Sequence, residues 1–531
     1  MATLSDRLVV RDAEVDGRSV DVYIEGGRIA AVVDASGRLP QRGRRDRPGF
    51  EPAAKPARSS DPAVVASVPH EEVFLAGGGA LLPGLHDHHI HLLALAAARR
   101  SVAVGPGDVG GAEGFAAALR AADATLEAGR WVRAVGYHES VAGPLDRYVL
   151  DAIVPARPVR VQHRGGAMWV VNSAALAALG LRHDRAGWTG GEAPAGADRL
   201  GGPSVPIGRG GDPPAGVERA GDGEATGRLY GLDAWLGERV PRQPLDLGAV
   251  GRMLLDYGVT GVTDATPTER AEDLALLGAA VADGTLPQQV VVTGGPGLDP
   301  DAGPALERGP VKLVVADHRL PDLGDLTAAI AGAHRRHRPV AVHCVTRIGV
   351  LLALAAWDEA GSRVGDRIEH GAVVHPSEAV RTAAHGLTVV TQPAFVAERG
   401  DDYLADVDPD DRPHLWPCAG LLRSGIAVGG STDAPFGPAD PWLAIAAAVT
   451  RRTLSGEILG ADERLDPRRA LDLFLGPAAA PGGPPRRVAP GAPADLCLLA
   501  VPLNEALRSP SAALVTATVR AGRLTRPTCP P

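Results

Sequence analysis

Along the middle of the chain, short apolar runs bounded by Gly, Pro or polar residues alternate with Ala/Leu-rich stretches of helical texture. A buried parallel strand followed by a helix leaves this pattern, because the strand is covered on both faces and the helix on one. The pattern predicts strands near Leu81 to His91, Gly258 to Asp264, Gln289 to Thr293, Val311 to Val315, Val340 to His343, Arg367 to His370, Leu387 to Gln392 and Ile426 to Asp433. Eight βα units point to an α/β fold of the (β/α)8 TIM barrel type. Residues 131–235, from Trp131 to Trp235, then form an elaboration between the first and second strands.

The ends of the chain have a different texture. LVVRDAEVDGRSVDVYIEGGRIAAVV near the start, and APADLCLLA and ALVTATVRAGRL near the finish, alternate apolar and polar residues around Gly and Pro turns, as short antiparallel strands do. Both ends are therefore expected to meet in one small composite β-sandwich, built from residues 1–82 and 465–531 around a barrel of residues 83–464. Two stretches break the periodicity. Residues 37–69, from Gly37 to Pro69, and a Gly/Pro-rich run from about Gly187 to Gly216 read as surface insertions without chemistry. Deleting residues 37–69 is expected to leave most turnover intact. A deletion variant that folds poorly would show the segment to be a structural element.

The bulk numbers narrow the class. With 45% apolar and 22% charged residues over 531 positions, the chain can bury a large core. A net charge of -9 without a basic stripe argues against nucleic acid as a partner and favours a small-molecule substrate. No apolar stretch reaches the roughly 20 residues that span a bilayer, so no membrane association is expected. The start, MATLSDRLVVRDAEVDG, lacks a basic segment followed by an apolar one, and the expected location is the cytoplasm. A homodimer is an allowed assembly. Cys344, Cys418, Cys497 and Cys529 are widely spaced, which suits ordinary reduced thiols better than a disulfide framework or a thiolate metal site.

Chemistry concentrates in LLPGLHDHHIHL. Side chains alternate along a strand, so His89 and His91 share a face with Asp87, while His86 and His88 face the other way. Two imidazoles two residues apart can hold one metal. Isolated histidines such as His138, His183, His334, His337, His375 and His385 read as ordinary core or surface residues. Four later strands end in Lys312, His343, His370 and Asp433, and the carboxyl ends of barrel strands converge on one mouth. Imidazole and carboxylate donors suit zinc and similar divalent ions. Only Lys55 and Lys312 are lysines; every other basic residue apart from histidine is arginine, so retention of Lys312 suggests a role arginine cannot fill.

The pattern PGxxDxHxH at Pro83 to His91, VNSAAL at Val171 to Leu176, TGRL at Thr226 to Leu229, GVTGVTDA at Gly258 to Ala265, RIEHG at Arg367 to Gly371 and the Asp433-Ala434-Pro435 turn together resemble the family-3 branch of the amidohydrolase superfamily. The resemblance runs through nearly the whole chain. It implies a metal-dependent hydrolase of non-peptide carbon-nitrogen bonds holding one or two divalent ions. His89 and His91 would bind the more buried ion and His343 and His370 the second. Lys312 would bridge them as a carbamate, and Asp433 would be both ligand and proton shuttle.

Linear N-acyl or N-formyl amines are the substrates the resemblance implies. The same centre could serve a cyclic amide or a lactone, and a barrel that had lost its metals would be a noncatalytic scaffold. Asn172, Arg164, Trp169 and Gln392 are the candidate substrate contacts, each with an ordinary structural alternative. The chain departs from the family at Ala167, where a histidine is frequent, and at His343-Cys344-Val345-Thr346-Arg347, where an HAIGD-like run is frequent. Both departures concern the substrate side and leave the ligand set intact.

Overall fold

The computed structural model describes residues 7–35, 71–181, 214–241, 243–298 and 305–528. Residues 37–69, most of the second Gly/Pro-rich run, Lys55, His183 and Cys529 lie outside the described residues. Each of the eight strands predicted for the centre is present: β1 (Leu85–Ile90), β2 (Val259–Asp264), β3 (Gln289–Val292), β4 (Val311–Val314), β5 (Val340–Cys344), β6 (Arg367–His370), β7 (Thr388–Thr391) and β8 (Val428–Gly430).

All their pairings are parallel. One sheet runs β1-β2-β3 with Glu307–Arg308 at its edge, and the other runs β4-β5-β6-β7-β8. Backbone bonds also join the sheets. Asp433 N donates to His89 O at 2.8 Å, His91 N to Ala434 O at 2.9 Å, and Lys312 N to Gly294 O at 2.8 Å.

Helices fill the connections because their apolar stripes find the outer faces of these strands. Asp322 caps Leu323–Arg335 by accepting from Gly324 N, and Thr346 caps Arg347–Ala360 by accepting from Gly349 N. Leu326, Ile330, Ala353, Leu354 and Trp357 from these two helices share one buried cluster with Val311, Val340, Val342 and Ile368 of the strands. Burying such side chains contributes roughly 1.5–3 kcal/mol each for the larger ones, which fixes the strands that carry the mouth residues.

Between β1 and β2 lies a separate six-stranded sheet with its own apolar cores. It starts earlier than residue 131, taking in Val102–Ala103, with the helix Gly111–Thr125 packed on it. That Ala-rich helix reads, in sequence, like any helix of the barrel type. At the chain ends, Arg7–Val15, Arg18–Glu25, Arg28–Asp34 and Glu71–Leu75 form one four-stranded sheet, and Leu81–Pro83, Leu496–Leu499, Val515–Arg520 and Arg523–Thr525 form another. Val10, Val22, Leu496, Leu498 and Val519 belong to one shared core. Cys344, Cys418 and Cys497 are buried free thiols, each pushed well above the ordinary thiol range by burial. Among the described residues no helix is long and apolar enough to cross a membrane.

Candidate metal centre

The carboxyl ends of β1, β5 and β6, the first half of β4 and the loop after β8 bring the predicted residues together. His89 Nε2 and His91 Nε2 lie 3.5 and 3.1 Å from the same oxygen, Oδ1 of Asp433. The His370 ring is 4.9 Å from that of His89, and the His343 ring stands edge-on to His370 at 4.5 Å. Lys312, only 3% exposed, places Nζ 3.5 Å from His89 Nε2. It is no surface lysine. His370 and Asp433 adopt left-handed backbone conformations, with φ of +70° and +56°. Non-glycine residues are held there only where surrounding structure compensates the strain, and such positions cluster at functional sites.

The groups behind the imidazoles decide which ring nitrogen is free. Glu369 Oε2 sits 2.5 Å from His89 Nδ1, and its other oxygen accepts from Arg367 Nε at 2.6 Å. A carboxylate can only accept, so Nδ1 of His89 carries the hydrogen and Nε2 presents its lone pair. Gln392 Oε1 holds His370 Nδ1 at 2.8 Å, while Gln392 Nε2 donates to Ser431 Oγ, which donates to Thr391 O. His370 therefore also has Nε2 free. Thr266 Oγ1 serves His91 Nδ1 in the same place, at 2.9 Å. Asp264 fixes that support by accepting from Leu92 N and Thr266 N.

These donors fit a divalent cation. Oδ1 of Asp433 is buried without a hydrogen-bond partner, and a buried anionic oxygen facing two imidazole nitrogens calls for a positive charge between them. Burial holds His89 down to about 3 and also lowers His343 and His370, keeping the imidazoles in the neutral form that binds metal. Burial likewise lowers Lys312. For Asp433 burial acts to raise the carboxyl, and His91, His89 and His370 act to lower it when they carry a proton; with those rings neutral, a bound cation would supply the positive charge that keeps it ionised. For Glu369 burial again opposes ionisation, and the positive charges of Arg367 and Lys312 are the main influences that overcome it and hold the carboxyl well below its usual range.

A second cluster, His138, Glu139 and His163, also gathers its potential ligand atoms within 4.8 Å, but its hydrogen bonds run the other way. Ser140 N and Gly165 N donate to the Nδ1 atoms of His138 and His163. Their Nε2 atoms consequently carry the hydrogens, facing Glu139 Oε2 at 3.9 and 3.1 Å. Two N–H groups directed at a carboxylate hold an anion and offer no lone pair to a metal.

The remaining sequence candidates separate. The rings of His86 and His88 pack against each other, tilted by 36° with centroids 4.6 Å apart, and His86 is bonded to Thr263. Asn172 is fully buried and bonded through its side chain to Val159 N, Ala175 N, Val154 O and Arg157 O. Those four bonds saturate its amide, so it serves as a cap and strut within the elaboration. Trp169 is buried between Arg133 and Arg160 with its indole N–H on Asp233. Gln392 reaches the centre by way of His370. Arg164 is half-buried and ion-paired with Asp402. Sequence reasoning passed over Glu369, although it lies inside RIEHG, and over Thr266, which carries no local signal at all.

The model of the amidohydrolase family matches residues 72–526, most of the chain. This chain belongs to the amidohydrolase family. It is 23% identical over 470 residues to the N-substituted formamide deformylase of Arthrobacter pascens, covering 78% of this chain and 82% of that enzyme. Among solved structures it is similar to an uncharacterized metal-dependent hydrolase from Pyrococcus horikoshii OT3, with a TM-score of 0.64, 19% identity and 98% and 99% of the two chains covered. A counterpart from Pyrococcus furiosus gives a TM-score of 0.62 at 20% identity, covering 93% of this chain and 98% of that one. The solved structures bear on the fold. Family membership makes this amidohydrolase a hydrolase of carbon-nitrogen bonds.

Proposed function

We propose that this amidohydrolase is metal-dependent and cleaves a linear N-acyl or N-formyl amine, with Asp433 as proton carrier. The observation that carries the reading is the convergence of His89 Nε2 and His91 Nε2 on a buried, unpartnered carboxylate oxygen of Asp433. Similarity to a formamide deformylase over most of both chains favours linear substrates. In this reading the eight strands close as a barrel, supported by the backbone bonds between β1 and the loop after β8 and between Gly294 and β4. The terminal sheets form one β-sandwich, supported by their shared core.

When bound, a zinc-like ion lowers the pKa of a bound water to about 7 and polarises the substrate carbonyl. His89 and His91 would hold the more buried ion, and His343 and His370 a second. Lys312 would bridge as a carbamate: its neutral amine bonds the carbon of carbon dioxide and releases a proton. Asp433 then takes a proton from the attacking water and gives it to the departing nitrogen, so the carbon-nitrogen bond breaks as acid and amine form. Glu369, Thr266 and Gln392 keep the imidazoles oriented throughout. Arg164 is the sequence candidate we retain beside the substrate.

Purified protein should contain zinc or a similar divalent ion, and His89→Ala/His91→Ala should lack it. Elemental analysis, coupled to a screen of N-acyl and N-formyl amines for released acid and amine, tests both halves. Full metal content in the double variant rejects the ligand assignment. A metal-loaded wild type that opens only cyclic amides or lactones moves the substrate to that class, and a metal-free wild type points to a noncatalytic scaffold.

A further inference from the structure

Phe436 joins the metal centre to the elaboration. Its ring stands edge-on to that of His91, with centroids 5.3 Å apart at 77°. The same ring packs on Gly166 so closely that a Cβ placed there would lie 2.7 Å from Cε1 and 3.0 Å from Cζ. Gly166 has a φ of +79°, so glycine suits this position both sterically and conformationally.

The backbone of Phe436 is also held. Its N–H donates to Asp433 O at 2.8 Å, and its carbonyl accepts from Arg399. The same guanidinium nitrogen donates to Arg164 O at 3.4 Å, and the group lies 4.0 Å from the centre of the Phe395 ring. One side chain thus ties the turn bearing Gly166 to the turn bearing Asp433. Arg164, on the first turn, is further paired with Asp402 on the helix Ala394–Asp406 that carries Arg399.

We propose that Phe436 is a positioning residue: wedged between Gly166 and His91 and latched by Arg399, it fixes the His91–Asp433 ligand pair against the elaboration. The inference rests on the metal centre proposed above. Edge-to-face contact adds a second restraint on the imidazole beside its Thr266 hydrogen bond. Ligand geometry tolerates displacements of only about 0.5 Å before binding weakens.

The test uses the full-length, metal-loaded protein. Metal release into excess chelator is timed for wild type, Phe436→Ala, Phe436→Leu, Gly166→Ala and the Phe436→Ala/Gly166→Ala pair, with kcat, KM and Tm measured alongside. Phe436→Ala should release metal about tenfold or more faster, the scale of lost support behind a ligand, and lose kcat more than KM. Phe436→Leu should fall between it and wild type. Gly166→Ala should speed release in the wild-type background and add little in Phe436→Ala, where the ring it strikes is gone. Should Phe436→Ala fail to fold, release from Phe436→Leu at the wild-type rate overturns the proposal and faster release supports it. Wild-type release in Phe436→Ala, or fully additive effects in the pair, overturns it while leaving the metal centre standing. A wild type that holds no metal defeats the proposed function itself, and this inference with it.

Discussion

Arginine at position 312 is expected to abolish most turnover, by on the order of 100-fold or more, the scale on which misplaced catalytic groups cost rate. Lys312 is buried within β4, 3.5 Å from His89 Nε2, in the field of the Glu369 and Asp433 carboxylates. Burial lowers its pKa, which increases the share of neutral amine able to add carbon dioxide. A guanidinium stays charged, presents only donors and forms no such carbamate, so Lys312→Arg would place a permanent cation where the proposed carbamate would sit. Lys312→Ala should recover part of its activity with added short carboxylates and metal if the proposed carbamate is right, because a small acid can then occupy its place. An exposed lysine would instead tolerate arginine within about 0.5 kcal/mol of stability and without loss of rate. Steady-state kinetics and metal content of both variants separate the cases. Undiminished turnover in Lys312→Arg would leave at best a mononuclear site of the histidines and Asp433.

Strands such as β3 (QVVV) and β5 (VAVHC) were legible because each is a short apolar run between Gly, Pro or helical residues, as burial on both faces requires, whereas β1 (LHDHHI) and β6 (RIEH) were legible from their motifs. His343 and His370 were legible because they stand at or next to strand ends, and Lys312 because it is a lone polar side chain inside the apolar run of β4. What escaped was information held between segments. Thr266 matters because it meets His91 from another strand's loop, and Arg399 because it reaches two carbonyls far apart in sequence. Neither sits in a motif. Asn172 and Trp169 show the converse, since both fall in or beside a family motif while their polar atoms bond within the elaboration. Strand alternation also misleads at His370. With φ at +70° it leaves the strand geometry, which lets it and its neighbour Glu369 both approach His89.

Asp433→Asn should lower kcat by about 10²- to 10⁴-fold, the range of a lost general acid-base group, while the protein stays folded. Asparagine is the informative replacement because position 433 has a φ of +56°, a conformation Asn tolerates nearly as well as Asp and Ala does not. The backbone bonds from Asp433 N to His89 O and from Phe436 N to Asp433 O can persist, so the turn that carries the side chain need not move. What is lost is the charge on Oδ1 and the ability to hold a proton in transit. His89 and His91 remain, supported by Glu369 and Thr266, so metal should still bind, though less tightly. Rate should therefore fall much further than metal content. Circular dichroism, elemental analysis and steady-state kinetics on the one variant distinguish the roles. Loss of rate in step with loss of metal would make Asp433 a ligand only and move the proton transfer to another group, whereas near-normal rate would remove it from the reaction.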